Sequence, residues 1–167
     1  MTREEYLAFD RASATKHEYW EGEIFAMSGG SHEHSQLQAN LSAVLVNALR
    51  DRPCVALNSD MRVRIPDSEK YVYPDGIVVC GALEIEDDEN DTLLNPSVVF
   101  EVLFDSTESF DRGRKFENYQ TIATLTDYVL VAQDRVRVEH CRRQGYGSWV
   151  LRILGFTLEL LGLIRKS

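Results

Sequence analysis

The chain has 167 residues, 44% hydrophobic and 27% charged, enough for one compact domain, 1–167, with its own core. Its net charge of −9 argues against a large non-specific nucleic-acid surface, which shows as a basic domain, but leaves room for a local basic strip or a metal-assisted phosphate site. No apolar run is long enough to span a bilayer, and the N-terminus lacks the basic-then-apolar layout of a signal peptide, so the expected location is cytoplasmic.

Thr2 with Glu5 three residues on has the form of a capping box and predicts a short helix to about Asp10. Glu18-Tyr19-Trp20 and Ile24 to Met27 flank Glu21-Gly22, which reads as a hairpin turn with its glutamates facing mostly solvent. Leu37, Leu41, Val44, Leu45, Ala48 and Leu49 recur at three- and four-residue spacing and predict a helix from about His32 to Arg50, ended by Pro53. Cys54 to Leu57 is a short strand. Met61 to Ile65 alternates, with Arg62 and Arg64 on one face. Pro66 to Lys70 reads as a turn.

Two apolar runs follow, Tyr73 to Cys80 and Ser97 to Phe104, separated by the acidic stretch Glu84 to Asp91, a solvated loop. A helix is expected over Arg112 to about Ile122, then strands over 127–132, 135–140 and 149–154. Cys54, Cys80 and Cys141 are odd in number, far apart and show no Cys-x-x-Cys spacing. They suggest neither a zinc site nor a disulfide framework, and Cys80 reads as a small buried hydrophobe. The whole is a mixed α/β arrangement.

The chemistry lies in the two apolar runs, since the first carries Asp75 and the second Glu101. An ionised carboxylate inside a buried strand needs a partner, because desolvating it is costly. One partner is a hard divalent cation such as Mg²⁺, which takes carboxylate oxygens, keeps several waters and binds substrate phosphates. The other is an arginine for each carboxylate, with Asp75 merely capping a turn after Pro74. Lys115 and Tyr119, four residues apart on one helical face, could reach the same pocket or stay at the surface. His34 could bond a carboxylate or phosphate near a helix N-terminus, and Glu33 sits where a third carboxylate could enter. Arg62, Arg64, Arg112 and Arg114 are candidates for following a nucleic-acid backbone.

Tyr73-Pro74-Asp75, then Asn95-Pro96-Ser97-Val98-Val99-Phe100-Glu101-Val102-Leu103 and Ser106-Thr107, resemble the Uma2 family of restriction-endonuclease-like proteins in the PD-(D/E)XK nuclease superfamily. The likeness also takes in Glu18 to Ile24, Glu33-His34-Ser35, Asp60 to Val63, Asp111 to Phe116, Tyr119, Tyr128 to Val131 and Val138 to His140. It implies a restriction-endonuclease-like fold, a central mixed β-sheet flanked by α-helices. It implies Asp75 and Glu101 as ligands of Mg²⁺ or Mn²⁺. The superfamily's lysine two residues after the glutamate is Leu103 here, and the likeness implies that Lys115 takes its place.

Where the family usually reads Ser-Pro, this chain has Phe104-Asp105, and the tail 155–167 is apolar where a polar closing segment is expected, which reads either as a segment that docks on a partner or as an irregular end. The expected function is a metal-dependent DNA endonuclease, with a homodimer for cutting both strands. The alternative is a binding or regulatory module on the same fold with little activity.

Overall fold

A computed structural model of the chain describes residues 1–104 and 107–154, apart from the side chain of Ser68. The expectations for Asp105, Ser106 and the tail 155–167 lie outside the described residues. The mixed α/β class holds, with the strands shared between two mixed sheets.

Helix α1, Arg3–Ala12, begins at the expected capping box, with Thr2 and Glu5 each accepting the other's backbone N–H. Strands β1, His17–Trp20, and β2, Glu23–Ala26, form the hairpin about Glu21-Gly22, both of positive φ. Helix α2, His32–Leu49, is capped by Ser31. Strands β3, Cys54–Asn58, and β4, Arg62–Ile65, follow as expected. Strand β5, Lys70–Val72, begins at the last residue of the stretch read as a turn. The two apolar runs become β6, Gly76–Cys80, which Asp75 immediately precedes, and β8, Val98–Val102, which carries Glu101. Between them lies a two-residue strand β7, Thr92–Leu93.

One sheet has the order β2-β1-β5-β4-β7. The other has the order β11-β10-β9-β8-β6-β3, where β9 is Asp127–Val131, β10 Val138–Arg143 and β11 Trp149–Leu154. Within the second sheet β8 and β9 are parallel, and parallel neighbours need a crossover. Helix α3, over 108–119, lies in that crossover. It has a first turn at Glu108–Phe110, a π-helical turn at Asp111–Lys115 and a last turn at Phe116–Tyr119. It begins and ends earlier than the expected 112–122.

Side chains alternate across the second sheet. Val78, Val98, Phe100 and Val129 meet Leu41, Leu45 and Leu49 of α2 on one face. Ile77, Val79, Val99, Tyr128 and Leu130 join Leu103, Tyr119 and Ile122 in the larger core on the other. Gly76 lets α2 approach the start of β6, since a Cβ there would lie 3.0 Å from Leu41 Cδ2.

Three sequence expectations change. Cys54 and Cys80 form a disulfide, because antiparallel β3 and β6 place residues 26 apart in sequence directly opposite each other. Cys80 is therefore an exposed bonded cysteine, not a buried hydrophobe, and Cys141 alone is a free, buried thiol. The strand expected over 135–140 begins only at Val138, in register with Val131 of β9. The acidic stretch is not simply solvated: Glu86 accepts from Arg64 and Tyr71, and Asp87 and Asp91 hold Arg11.

Candidate active site

Asp75 lies in the extended segment leading into β6, and the β6–β8 pairing of Gly76 with Phe100 brings it beside the middle of β8. Its Oδ2 accepts the Val102 N–H at 2.6 Å, which ties one oxygen to the backbone of the glutamate's own strand. Its Oδ1 accepts from Gln38 Nε2 at 2.5 Å and His34 Nε2 at 3.3 Å, both on α2. The bond to Asp75 is the main reason the His34 imidazole titrates above its ordinary value.

Glu101 is buried on the opposite side of β8 from Phe100. Its Oε1 pairs with the Lys115 ammonium at 2.9 Å and accepts from the Tyr119 hydroxyl at 3.1 Å. Lys115 also lies 3.2 Å from Glu18 Oε1 and 3.7 Å from Asp111 Oδ1.

Asp111, Lys115 and Tyr119 stand four apart and all three are buried. In a regular α-helix a four-residue step overshoots one turn of 3.6 residues, so such a series drifts around the axis. The wider π turn at Asp111–Lys115 offsets that drift and keeps the three side chains on one line facing β8. Tyr119 thus has a buried hydroxyl bonded to Glu101, rather than one at the surface.

Burial pushes the carboxyls of Glu101 and Asp111 above their usual range, against the pull of Lys115. Burial by itself would lower the Lys115 ammonium. The Glu101 and Glu18 carboxylates outweigh it and hold the group well above its ordinary value, protonated.

Glu18, Asp75, Glu101, Asp111 and Lys115 all open onto one cleft of about 760 Å³. Three carboxylates thus lie within 4 Å of the buried Lys115 ammonium and Asp75 shares its cleft, a charge excess that a divalent cation would offset. Tyr119 donates to Oε1 of Glu101 and Lys115 pairs with the same oxygen. Among the described residues no three His, Cys, Asp or Glu side chains converge as a complete metal cage. Two carboxylates with waters and a substrate phosphate are the kind of donor set Mg²⁺ uses.

The other sequence candidates lie elsewhere. Glu33 points outward, against exposed His32, and supplies no third carboxylate here. Arg62 is buried, bonded to Asp10 Oδ2 at 3.0 Å, Tyr73 and Thr92, so it cannot follow a nucleic-acid backbone. Its strand face packs on α1, which the alternation of β4 alone could not reveal. Arg64 is held by Glu86, and Arg112 by Glu108 and Glu139. Arg114 reaches the cleft rim, 3.6 Å from Glu21.

Sequence reasoning missed Glu18, Gln38 and Asp111. Glu18 accepts from Trp20 Nε1 and the Tyr73 N–H, which turn it inward rather than toward solvent. The Asp111-x-x-x-Lys115-x-x-x-Tyr119 spacing was a usable signal for Asp111.

Residues 3–162 match the model of the Uma2 family, whose description reads "Putative restriction endonuclease". The chain belongs to the Uma2 family. It is 37% identical over 161 residues to the uncharacterized protein sll1609 of Synechocystis, covering 96% of this chain and 91% of that one. It is 36% identical over 151 residues to slr1290 of the same organism, also uncharacterized, covering 90% and 78%. A crystal structure from Anabaena variabilis, of "a putative nuclease belonging to DUF820", superposes with a TM-score of 0.74 at 17% identity. That match covers 93% of this Uma2 chain and 85% of the other, and shows a shared fold. Among the described residues no helix is long and apolar enough to cross a membrane.

Proposed function

We propose that this chain is a divalent-metal-dependent endonuclease that hydrolyses DNA phosphodiester bonds. The observation that carries the reading is the meeting, in one cleft, of Asp75 and Glu101 from adjacent strands with Lys115 2.9 Å from Glu101. Family membership supports the reaction class.

Asp75 and Glu101 would hold Mg²⁺ or Mn²⁺. Such an ion supplies charge stabilisation at a phosphoryl oxygen and a more acidic water. Asp75 is pre-set for the task, because Val102 N–H, Gln38 and His34 fix its carboxylate before any ligand arrives. Lys115 is protonated between two carboxylates, so it acts as a fixed positive charge and donor toward the phosphate, not as a base. Tyr119 helps fix the Glu101 side chain through a hydrogen bond to Oε1.

Substituting Asp75→Asn or Glu101→Gln should abolish Mg²⁺-dependent cleavage of DNA while leaving the circular-dichroism spectrum unchanged. Cleavage at parental rates by either variant would refute the assignment.

The second reading, a module with little activity, draws on Leu103. That side chain is buried in the core where the superfamily's strand lysine would project. Absence of any rise in melting temperature on Mg²⁺ or Mn²⁺ titration would favour it, because a ligand of the native state raises that temperature. Cutting both strands of a duplex would call for a two-fold pair of copies, which sedimentation tests.

A further inference from the structure

We infer that the cleft is built for an unpaired strand, one whose bases stack on its walls, rather than for a continuous duplex. The inference rests on the nuclease reading above and names its substrate.

The first argument is the register of the hairpin. Glu18 of β1 lies opposite Phe25 of β2, so the two side chains stand on one face, with Trp20 two residues along on the same side. That face lines the cleft. Phe25 is 49% exposed, a large aromatic ring left in solvent beside a cluster of carboxylates. Phe104, just after β8, and Phe110 of α3 line the cleft as well, so aromatic rings come from separate elements around it. Phe104 sits 5.7 Å from the His34 ring, and Phe110 meets Trp20 edge-on at 5.0 Å. An exposed ring such as Phe25, with half-buried Phe104 and Phe110 at the same cleft, is a stacking platform that any base can use.

The second argument is charge. Duplex binders gain affinity by neutralising many phosphates with Lys and Arg. The cations that line this cleft are Lys16, Arg114 and Lys115. Lys16 is held by Asp60 at 2.5 Å, Arg114 lies 3.6 Å from Glu21, and Lys115 is committed to Glu101 and Glu18. Against them stand Glu18, Asp75, Glu101 and Asp111. Phosphate attraction is weak here, so the bases must supply the affinity, and bases are available only when unpaired.

The third argument is depth. The Glu101 side chain is 5% exposed, so the reacting phosphate must descend into the cleft. A cleft of about 760 Å³ is of the size that small ligands fill. A site of that size suits a single nucleotide unit of a flexible strand.

The test uses the full chain and a fluorescent 12-nucleotide DNA, as a single strand and as a blunt duplex of the same sequence. Anisotropy is measured with Ca²⁺ in place of Mg²⁺, and cleavage is followed in parallel with Mg²⁺ or Mn²⁺. The strand should bind at least about tenfold more tightly than the duplex, with a log–log salt slope near −1, as expected for one or two phosphate contacts. Phe25→Ala should weaken strand binding about tenfold and leave duplex binding unchanged, and Phe25→Trp should restore it. Equal or tighter duplex binding, no binding of the strand, or a Phe25→Ala protein indistinguishable from the parent would overturn the inference. Strand binding without cleavage would keep it and sink the hydrolase reading. Preferential cleavage of duplex would do the reverse.

Discussion

Replacing Lys115 with methionine separates the electrostatic role of this residue from its packing role. The side chains are of similar size, so the change removes little more than the charge. At 2.9 Å, and with an effective dielectric constant of about 20, the attraction to Glu101 is worth roughly 6 kcal/mol before desolvation. Part of that is offset by the cost of burying both ions. Breaking a buried pair by removing one partner typically costs about 3–5 kcal/mol, since the other charge is stranded. Here Glu18 and Asp111 crowd the same spot, so the upper half of that range is expected at pH 7.

The pH dependence follows from the direction of the Glu101 shift. Its carboxyl is pushed upward by burial, and loss of Lys115 pushes it further. The folded variant then holds a proton that the unfolded chain has already lost, so its stability falls as pH rises above the ordinary glutamate value of about 4.3. Urea unfolding of parent and variant should therefore diverge between pH 4.5 and pH 7. At the same time the cleft loses its one buried positive charge, so Mn²⁺ should bind more tightly while cleavage disappears. A variant that loses less than about 1 kcal/mol at pH 7, with no change in Mn²⁺ affinity, would refute the reasoning.

Three further outcomes are expected. Thiol titration should find one reactive cysteine in the unfolded, unreduced chain and three after reduction. In the native state Cys141 should stay silent, because burial pushes its thiol up to about 11. Arg11→Ala should cost about 1 kcal/mol near neutral pH, a value discounted for the partial exposure of the pair. Arg11 holds the Asp91 carboxyl at about 2, so the stability it lends is present above the ordinary aspartate value and lost as pH falls toward 2. Melts of the parent and this variant should converge there. Arg62→Met should destabilise by about 3–5 kcal/mol by stranding Asp10, measured by urea unfolding, yet leave DNA affinity unchanged under native conditions.

Much of the fold is legible because local signals agree with it: the Thr2–Glu5 capping box, the apolar stripe of α2, the Glu21-Gly22 turn. Strand β7 is not legible, since two residues inside an acidic stretch carry no period, and they pair only because β4 runs alongside. The Cys54–Cys80 bond is hidden for a related reason: register between distant strands is a property of the sheet, not of spacing. Arg62 and Arg64 alternate as a solvated face does, and only the packing of α1 reveals that one of them is interior. In the candidate site, Asp75 and Glu101 stand out because a carboxylate is costly in an apolar strand. Glu18 does not, since its inward turn depends on Trp20 and on the Tyr73 backbone arriving from another strand.

The parallel pairing of β8 with β9 bears on when this centre can exist at all. Lys115 rides on the crossover between those strands. That crossover is held down by Phe116 stacked on Tyr128 at 4.9 Å, and by the Tyr128 hydroxyl donating to the Asp111 carbonyl. Both anchors belong to β9. A growing chain that has emerged only as far as Tyr119 carries Asp75, Glu101 and Lys115, yet lacks the Tyr128 contacts that hold this helix down beside β8. The full cleft therefore assembles only once β9 is made and docked, and on the nuclease reading proposed above an unfinished chain would lack the complete centre.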